Sequence, residues 1–124
     1  MSRLLWFAVG IITGVVCLSV AQASSQDPVT LSPQYYTVRL DNDAVRVLEY
    51  RLPPGKKEAM HTHPPGVVFS LADAKFRTTL PDGTSSDASV PNGEVTWRER
   101  TSHSAENIGS TEAHALAIEL KKCN

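Results

Sequence analysis

The sequence has little that could crosslink it and little that could attract a polyanion. It contains two cysteines, and only Cys123 lies outside the apolar start of the chain, so no internal disulfide is expected to hold the fold. The 12 lysines and arginines nearly balance the 13 acidic residues, and the formal net charge is −1. A nucleic-acid partner or an anionic membrane partner is therefore not expected.

Long hydrophobic runs are also missing, apart from one at the start of the chain. MSR is followed by LLWFAVGIITGVVCLSV and then AQA, the order of a positive region, an apolar region and a small-residue cleavage site. The apolar run over residues 4–20 is short for a membrane span and is interrupted by glycine. We therefore predict a signal peptide over residues 1–23, a protein that is periplasmic or secreted, and no stable membrane anchor.

No helical pattern of useful length follows this segment. Residues 24–34 are polar and contain proline, which predicts a flexible leader, and residues 35–122 read as one β domain. Short runs of alternating character are separated by turn signals such as PPG, PDG and PNG, a pattern typical of an all-β sandwich or barrel. The runs are YYTVRL, AVRVLEYRL, EAMHTH, GVVFSLA, AKFRTTL, SDASV, EVTWRE, SHSAENI and EAHALAIEL.

Period-two alternation groups the apolar side chains by face. The pairs are Val67 with Phe69, Val95 with Trp97, and Leu116 with Ile118. We expect these faces to line one closed interior, because a small barrel buries its apolar faces without leaving open edges. Trp97, Phe69 and Met60 are accordingly expected in the core, and only secondarily as the wall of a pocket.

Histidine is scarce, yet two of the four histidines lie one residue apart in GKKEAMHTHPPG. On a strand, His61 and His63 point to the same side with Cα atoms roughly 6.6 Å apart. Two imidazoles at this spacing can converge on one metal ion. They could equally be a solvated pair on an edge strand, and the pair alone does not distinguish these alternatives.

Two half-motifs in the chain resemble those of the cupin family. Gly55, five further residues and His61-Thr-His63 resemble the opening of the first cupin motif. His103 and Asn107, in HSAEN and preceded by Gly93, resemble the end of the second motif. The resemblance implies a single-domain cupin jelly-roll β-barrel.

The resemblance also implies a metal centre. It assigns His61, His63 and His103 as ligands of a divalent first-row ion, with Fe, Mn, Zn, Ni and Cu all suitable for imidazole nitrogen. Open positions on the ion would accept a small-molecule ligand. If the protein is an enzyme, the family implies dioxygenase or isomerase chemistry, and no catalytic residue is assigned from the sequence.

The first motif departs from the family at its carboxylate. In the family, three or four residues separate the histidine pair from a metal-binding glutamate, and this chain has Val67 and Val68 at those positions. Loss of that charge should weaken metal retention and favour an anionic ligand. The alternative is a metal-free cupin barrel that is structural or binds a small molecule without catalysis.

Three further expectations concern acid–base groups, assembly and pH. His114 and Glu49 are the candidates for a group facing the cavity, although the alternation around Glu49 is ambiguous. The run YYTVRL could serve as the edge of a homodimer. Metal binding should fade as pH falls through about 6, since a histidine ligates only when neutral and its unperturbed pKa is about 6.5.

Overall fold

The structure, a computed structural model, describes residues 26–121, which form one helical turn and nine strands. The elements are α1 (Pro28–Leu31), β1 (Tyr36–Asp41), β2 (Val45–Leu52), β3 (His61–His63), β4 (Gly66–Ser70), β5 (Ala74–Thr79), β6 (Ser85–Val90), β7 (Val95–Arg98), β8 (Thr101–Asn107) and β9 (Ala113–Leu120). Each strand coincides with one of the runs identified in the sequence, which confirms the all-β prediction. The predicted signal peptide lies outside the described residues. Among the residues that are described, no helix has the length and apolar character needed to span a membrane.

The strands form two antiparallel sheets that enclose a cavity. One sheet has the order β1-β2-β9-β4-β7 and the other the order β3-β8-β5-β6. The turns that precede the two cupin half-motifs contain Gly55 and Gly93, whose φ angles are 76° and 87°. Glycine adopts this left-handed backbone without steric cost, so the motif glycines are explained by the turns. The architecture is the expected jelly roll.

The polar segment ahead of the first strand packs on the barrel where the structure describes it. The Arg46 guanidinium donates to both carboxylate oxygens of Asp27, at 2.5 and 3.1 Å. The Ser32 hydroxyl accepts a hydrogen bond from the Ala59 amide at 3.2 Å, and Ser32 is buried. The sequence suggested a flexible leader over residues 24–34, but these contacts fix the described part of it. The domain boundary at residue 35 stays a prediction.

The three apolar pairs singled out in the sequence lie on the outer face of the five-stranded sheet, contrary to the sequence expectation. Val68 and Ala117 line the cavity, so their strand neighbours Val67 and Ile118 point the other way. Trp97 lies opposite Val67 and is 54% exposed. The predicted core position of Trp97 is therefore wrong, as is that of Met60, which is also exposed.

Two rows of residues cross the five-stranded sheet next to each other but on opposite faces. Directly paired residues of antiparallel strands share a face, which defines both rows from the strand register. The outer row consists of Leu40, Val47, Ile118, Val67 and Trp97. The inner row consists of Arg46, Glu119, Gly66 and Arg98. The inner face carries charge because it lines the site described next.

Candidate metal centre

Three of the four histidines meet at the cavity wall. His61 and His63 occupy the ends of the short strand β3, and the register of β3 with β8 places His61 opposite His103. His61 and His63 are fully buried, and His103 is partly buried. One ring nitrogen from each of the three lies within 4.8 Å of the others. The structure thus brings together the three histidines that the cupin resemblance selected.

Hydrogen bonds fix the orientation of the two buried rings. His61 Nδ1 lies 2.7 Å from the carbonyl oxygen of Ala59, and His63 Nδ1 lies 2.7 Å from Glu119 Oε1. Because both partners accept hydrogen bonds, each Nδ1 carries the proton and each Nε2 presents a lone pair. The two Nε2 atoms are 2.7 Å apart. An outer acceptor on Nδ1 is the usual arrangement for a metal-binding histidine.

This donor set fits a first-row divalent ion. Two nitrogens bound to one ion at about 2.0–2.1 Å and roughly at right angles are about 3 Å apart, close to the separation of the two Nε2 atoms. Two lone pairs that face each other repel unless a cation lies between or beside them. A proton is a poor candidate for that cation in this buried site, for the reason given next.

Burial keeps the three imidazoles neutral. It lowers the pKa of His63 to about 2 and that of His103 to about 3, with the neighbouring positive charge of Arg98 as a further cause for both. Burial also lowers the pKa of His61. Neutral imidazole is the form that binds metal, so the loss of binding expected near pH 6 should shift to lower pH.

A chain of hydrogen-bonded charged groups holds the His63 ring on the side away from the other histidines. Glu119 Oε1 bonds to His63, while Glu119 Oε2 accepts from Arg46 Nε and Nη2 at 3.0 and 2.8 Å. Arg46 in turn binds Asp27. Glu119 is only 2% exposed, and the paired arginine balances its charge. The sequence offered no signal for this role, because Glu119 resembles any charged residue near a strand end.

The histidines open onto a cavity of about 360 Å³ between the sheets. Its walls are mainly apolar or small side chains, among them Val68, Phe76 and Ala117. A volume of this size accommodates a small organic molecule. Val68 lines the cavity and Val67 does not, so Val68 occupies the position on this strand from which a glutamate could reach the centre.

Glu58 is a cavity residue that the sequence did not reveal. Its side chain is 2% exposed, and its Oε1 lies 3.9 Å from His61 Nε2. The Tyr36 hydroxyl donates to Glu58 Oε2 at 2.7 Å and lies 3.4 Å from His61 Nε2. Burial raises the pKa of Glu58 to about 7, against the opposing effect of the Tyr36 hydrogen bond. A buried carboxyl thus faces the cavity from the N-terminal side of the histidine pair.

His114 and Glu49 do not belong to this site. The register pairs His114 with the exposed Arg51, and His114 Nε2 lies 2.8 Å from Glu49 Oε1. Glu49 also accepts from Arg51 at 3.2 Å. The two residues therefore form a surface pair on the outer face of the five-stranded sheet. His114 also borders the cavity, but its ring is engaged by Glu49, and Glu49 itself does not line the cavity.

The comparison with solved structures identifies the family. A crystal structure of a cupin domain from Bordetella pertussis Tohama I is similar to this chain at 31% sequence identity, with a TM-score of 0.65, and the match covers 70% of this chain and 92% of that one. The chain belongs to the cupin family. No protein-family model matches the sequence, and no curated protein matches it either.

More distant structures share the fold alone. An uncharacterized conserved protein with a double-stranded β-helix domain from Klebsiella pneumoniae is 17% identical, with a TM-score of 0.57, and the match covers 69% of this chain and 75% of that one. An RmlC-like cupin family protein from Methanocaldococcus jannaschii is 15% identical, with a TM-score of 0.54 and coverage of 68% and 79%. These similarities support the double-stranded β-helix architecture.

Proposed function

We propose that this cupin binds a divalent first-row metal ion through His61, His63 and His103 and holds a small, anionic ligand at the open positions of the ion. The observation that carries the proposal is the approach of two lone-pair nitrogens, His61 Nε2 and His63 Nε2, to 2.7 Å in a buried site. A divalent cation relieves that repulsion and uses the neutral form that burial imposes.

The residues of the chain divide the remaining tasks. Glu119 and the Ala59 carbonyl orient the ligand rings, and the apolar cavity walls limit the access of water to the ion. When bound, Fe, Mn, Zn, Ni or Cu would supply Lewis acidity at its open positions. The protein offers no carboxylate at Val67 or Val68, so an anionic ligand compensates part of the ion's charge.

Catalysis is a second candidate function, and Glu58 favours it. A metal-dependent dioxygenase or isomerase needs a group that can exchange a proton with the bound molecule. The His114 ring is paired with Glu49, whereas the buried Glu58 carboxyl lines the cavity beside the histidines. A non-enzymatic binding module would bind a ligand in the same cavity without converting it. A purely structural barrel would bind no ligand.

Export and assembly complete the proposal. The segment MSR…AQA supports cleavage after residue 23 and a periplasmic or secreted location, which intact mass of the exported protein would test.

Strand β1 pairs only with β2 among the described strands and leaves one edge open, which supports a homodimer through that edge. Light scattering of the purified protein tests the dimer.

Thermal melting with added metal tests the proposed centre. At pH 7.5 a saturating divalent ion should raise the wild-type midpoint by about 5 °C or more, because a ligand at 100 times its Kd stabilises by about 2.7 kcal/mol. His63→Ala and His103→Ala should each abolish the shift without additivity, since both remove ligands from one site. At pH 5.5 the wild-type shift should persist, in line with the lowered pKa values.

His114→Ala is the matched control, because it removes a histidine from the outer face and should respond to metal as the wild type does. Elemental analysis of protein purified without a histidine tag identifies the ion. If no metal raises the wild-type midpoint, or if His103→Ala responds like the wild type, the metal proposal fails and the metal-free barrel replaces it.

A further inference from the structure

Arg98 has buried hydrogen-bond donors that no described residue satisfies. Its Nε and Nη2 atoms are inaccessible to solvent and lack a hydrogen-bond partner. The nearest acidic atom, Glu119 Oε1, lies 4.0 Å from Nη2, beyond hydrogen-bond distance. A buried guanidinium with unused donors is costly, so the site favours an acceptor that comes from outside the chain.

The neighbouring carboxylates are already engaged. Glu119 accepts from His63 on one oxygen and from Arg46 on the other. Glu58 accepts from the Tyr36 hydroxyl. The ion pairs and hydrogen bonds around the centre therefore leave Arg98 without an anionic partner of its own.

Arg98 reaches the ligand cavity: its side chain is 17% exposed, although Nε and Nη2 themselves are closed to solvent. Arg98 lines the cavity together with His63 and His103, and its charge contributes, after burial, to the lowered pKa of both histidines. Its register partner on β4 is Gly66, which has no side chain that could supply a hydrogen-bond acceptor. The cavity thus has one cationic group, Arg98, beside the neutral histidines, and apolar walls that include Phe76 and Val68.

We propose that Arg98 is the anion-binding residue of this cavity and that the ligand class is a small monocarboxylate with an apolar body. The planar guanidinium presents paired N–H donors that match the two oxygens of a carboxylate. The apolar walls would cover the rest of the molecule. This inference deepens the proposed function and rests on it for the position of the ligand beside the metal centre.

Isothermal titration calorimetry with three small probes tests the inference. Phenylacetate carries the carboxylate and an apolar body, phenylacetamide is its neutral counterpart, and acetate lacks the body. Zinc-loaded wild type should bind phenylacetate at least tenfold more tightly than either of the other two, because a hydrogen bond to a charged group and burial of a ring each contribute on the order of a kcal/mol or more. The same preference for acid over amide should persist in metal-free protein at lower affinity.

Variants then assign the preference to Arg98. In metal-free Arg98→Gln the advantage of phenylacetate over phenylacetamide should disappear, while Arg98→Lys should retain part of it. In zinc-loaded Arg98→Gln the advantage should shrink, because the ion also attracts a carboxylate. Arg77→Gln is the matched control, since Arg77 is an exposed arginine that pairs with Asp87 on the other sheet, and it should behave as the wild type. If Arg98→Gln does not fold, the inference is tested by two other results. The wild type must bind phenylacetate more tightly than phenylacetamide, and Arg98→Lys must show a smaller preference than the wild type.

Equal binding of acid and amide by the wild type, or an undiminished preference in Arg98→Gln, overturns the inference. If zinc raises the melting midpoint while the acid preference is absent, the metal proposal stands and this inference fails. If zinc does not bind while the preference depends on Arg98, the inference stands and the metal proposal fails.

Discussion

Next to the histidines, two adjacent rows of the five-stranded sheet reverse the usual distribution of polarity. The outer row is apolar on every strand it crosses, from Leu40 to Trp97. The inner row, one residue away on four of the same strands, contains two arginines, a glutamate and a glycine. Antiparallel sheets normally place the apolar face on the core. Here the inner face serves a ligand cavity, and the charges that orient and balance that site replace part of the core.

The difference teaches that alternation identifies shared faces but not which face is inside. The pairing of Val67 with Phe69, and of Val95 with Trp97, was predicted correctly. Their assignment to the interior was wrong because it assumed that the more apolar face is the buried one. In a small barrel with a functional cavity, the buried core can shrink to a few residues, here Tyr36, Leu48, Tyr50, Leu52, Ala113 and Ala117.

The largest expected effect on stability comes from the close packing of Gly66, in the inner row, against the backbone of β9. A Cβ added at Gly66 would lie 2.0 Å from the backbone carbonyl oxygen of Ile118. Since the clash is with backbone, Gly66→Ala should lower the free energy of unfolding by about 3 kcal/mol, measured by denaturant titration. Gly83→Ala is the control: it has no atom within 4 Å but a φ of 87°, and it should cost about 1 kcal/mol from backbone strain alone. Similar losses for both would show that the two strands are not closely packed at Gly66.

The second effect is the pH dependence of stability that the buried Glu58 carboxyl causes. Burial raises the pKa of Glu58 to about 7 from an ordinary value of 4.5. The stability that its protonated form contributes is complete below about pH 4.5 and is lost as pH rises to about 7. Metal-free Glu58→Gln should therefore lose less stability than the wild type between pH 5 and pH 8, by about 2 kcal/mol. Denaturant titrations at the two pH values provide the measurement.

Glu49→Gln serves as the outer-face control for that experiment. The hydrogen bond from His114 lowers the pKa of Glu49, so any pH effect has the opposite sign and lies at acidic pH. Between pH 5 and pH 8 the control should follow the wild type. A Glu58→Gln variant that also follows the wild type would contradict the raised pKa.

The third effect distinguishes the two faces by metal affinity. Val68→Glu places a carboxylate in the cavity and should tighten metal binding about tenfold, or about 1.4 kcal/mol, by supplying a charged ligand. Val67→Glu is its neighbour on the outer face and should leave affinity unchanged. Competition with a chelator measures both. Equal gains for the two variants, or a gain for Val67→Glu alone, would reverse the assigned orientation of β4.

The smallest expected effect concerns the outer row. Trp97 is 54% exposed, and Trp97→Gln should change the free energy of unfolding by less than about 0.5 kcal/mol. Its indole nitrogen donates only to exposed Glu99, at 2.7 Å, so little is lost with it. A loss above about 1.5 kcal/mol, dependent on protein concentration, would show that another copy of the chain covers the outer row.

The fold and the three histidines could be predicted because local spacing encodes them. The turn glycines Gly55 and Gly93, and the three histidines His61, His63 and His103, lie at the spacings of the two cupin half-motifs, which can be recognised directly in the sequence. Glu58, Arg98 and Glu119 could not be predicted, because a single charged residue in a β-rich chain is usually exposed. Only the contacts between distant parts of the chain show that these three lie beside the histidines.

The Glu119–His63 hydrogen bond also determines when the centre can be completed. Glu119 lies 56 residues after His63 and 73 after Arg46, on the last strand of the barrel. A chain that has emerged only through β8 contains all three histidines, but the partner that orients His63 is still missing. The arrangement of the three histidines is therefore completed late in folding, and under the proposed function the ion would come from the compartment in which β9 docks.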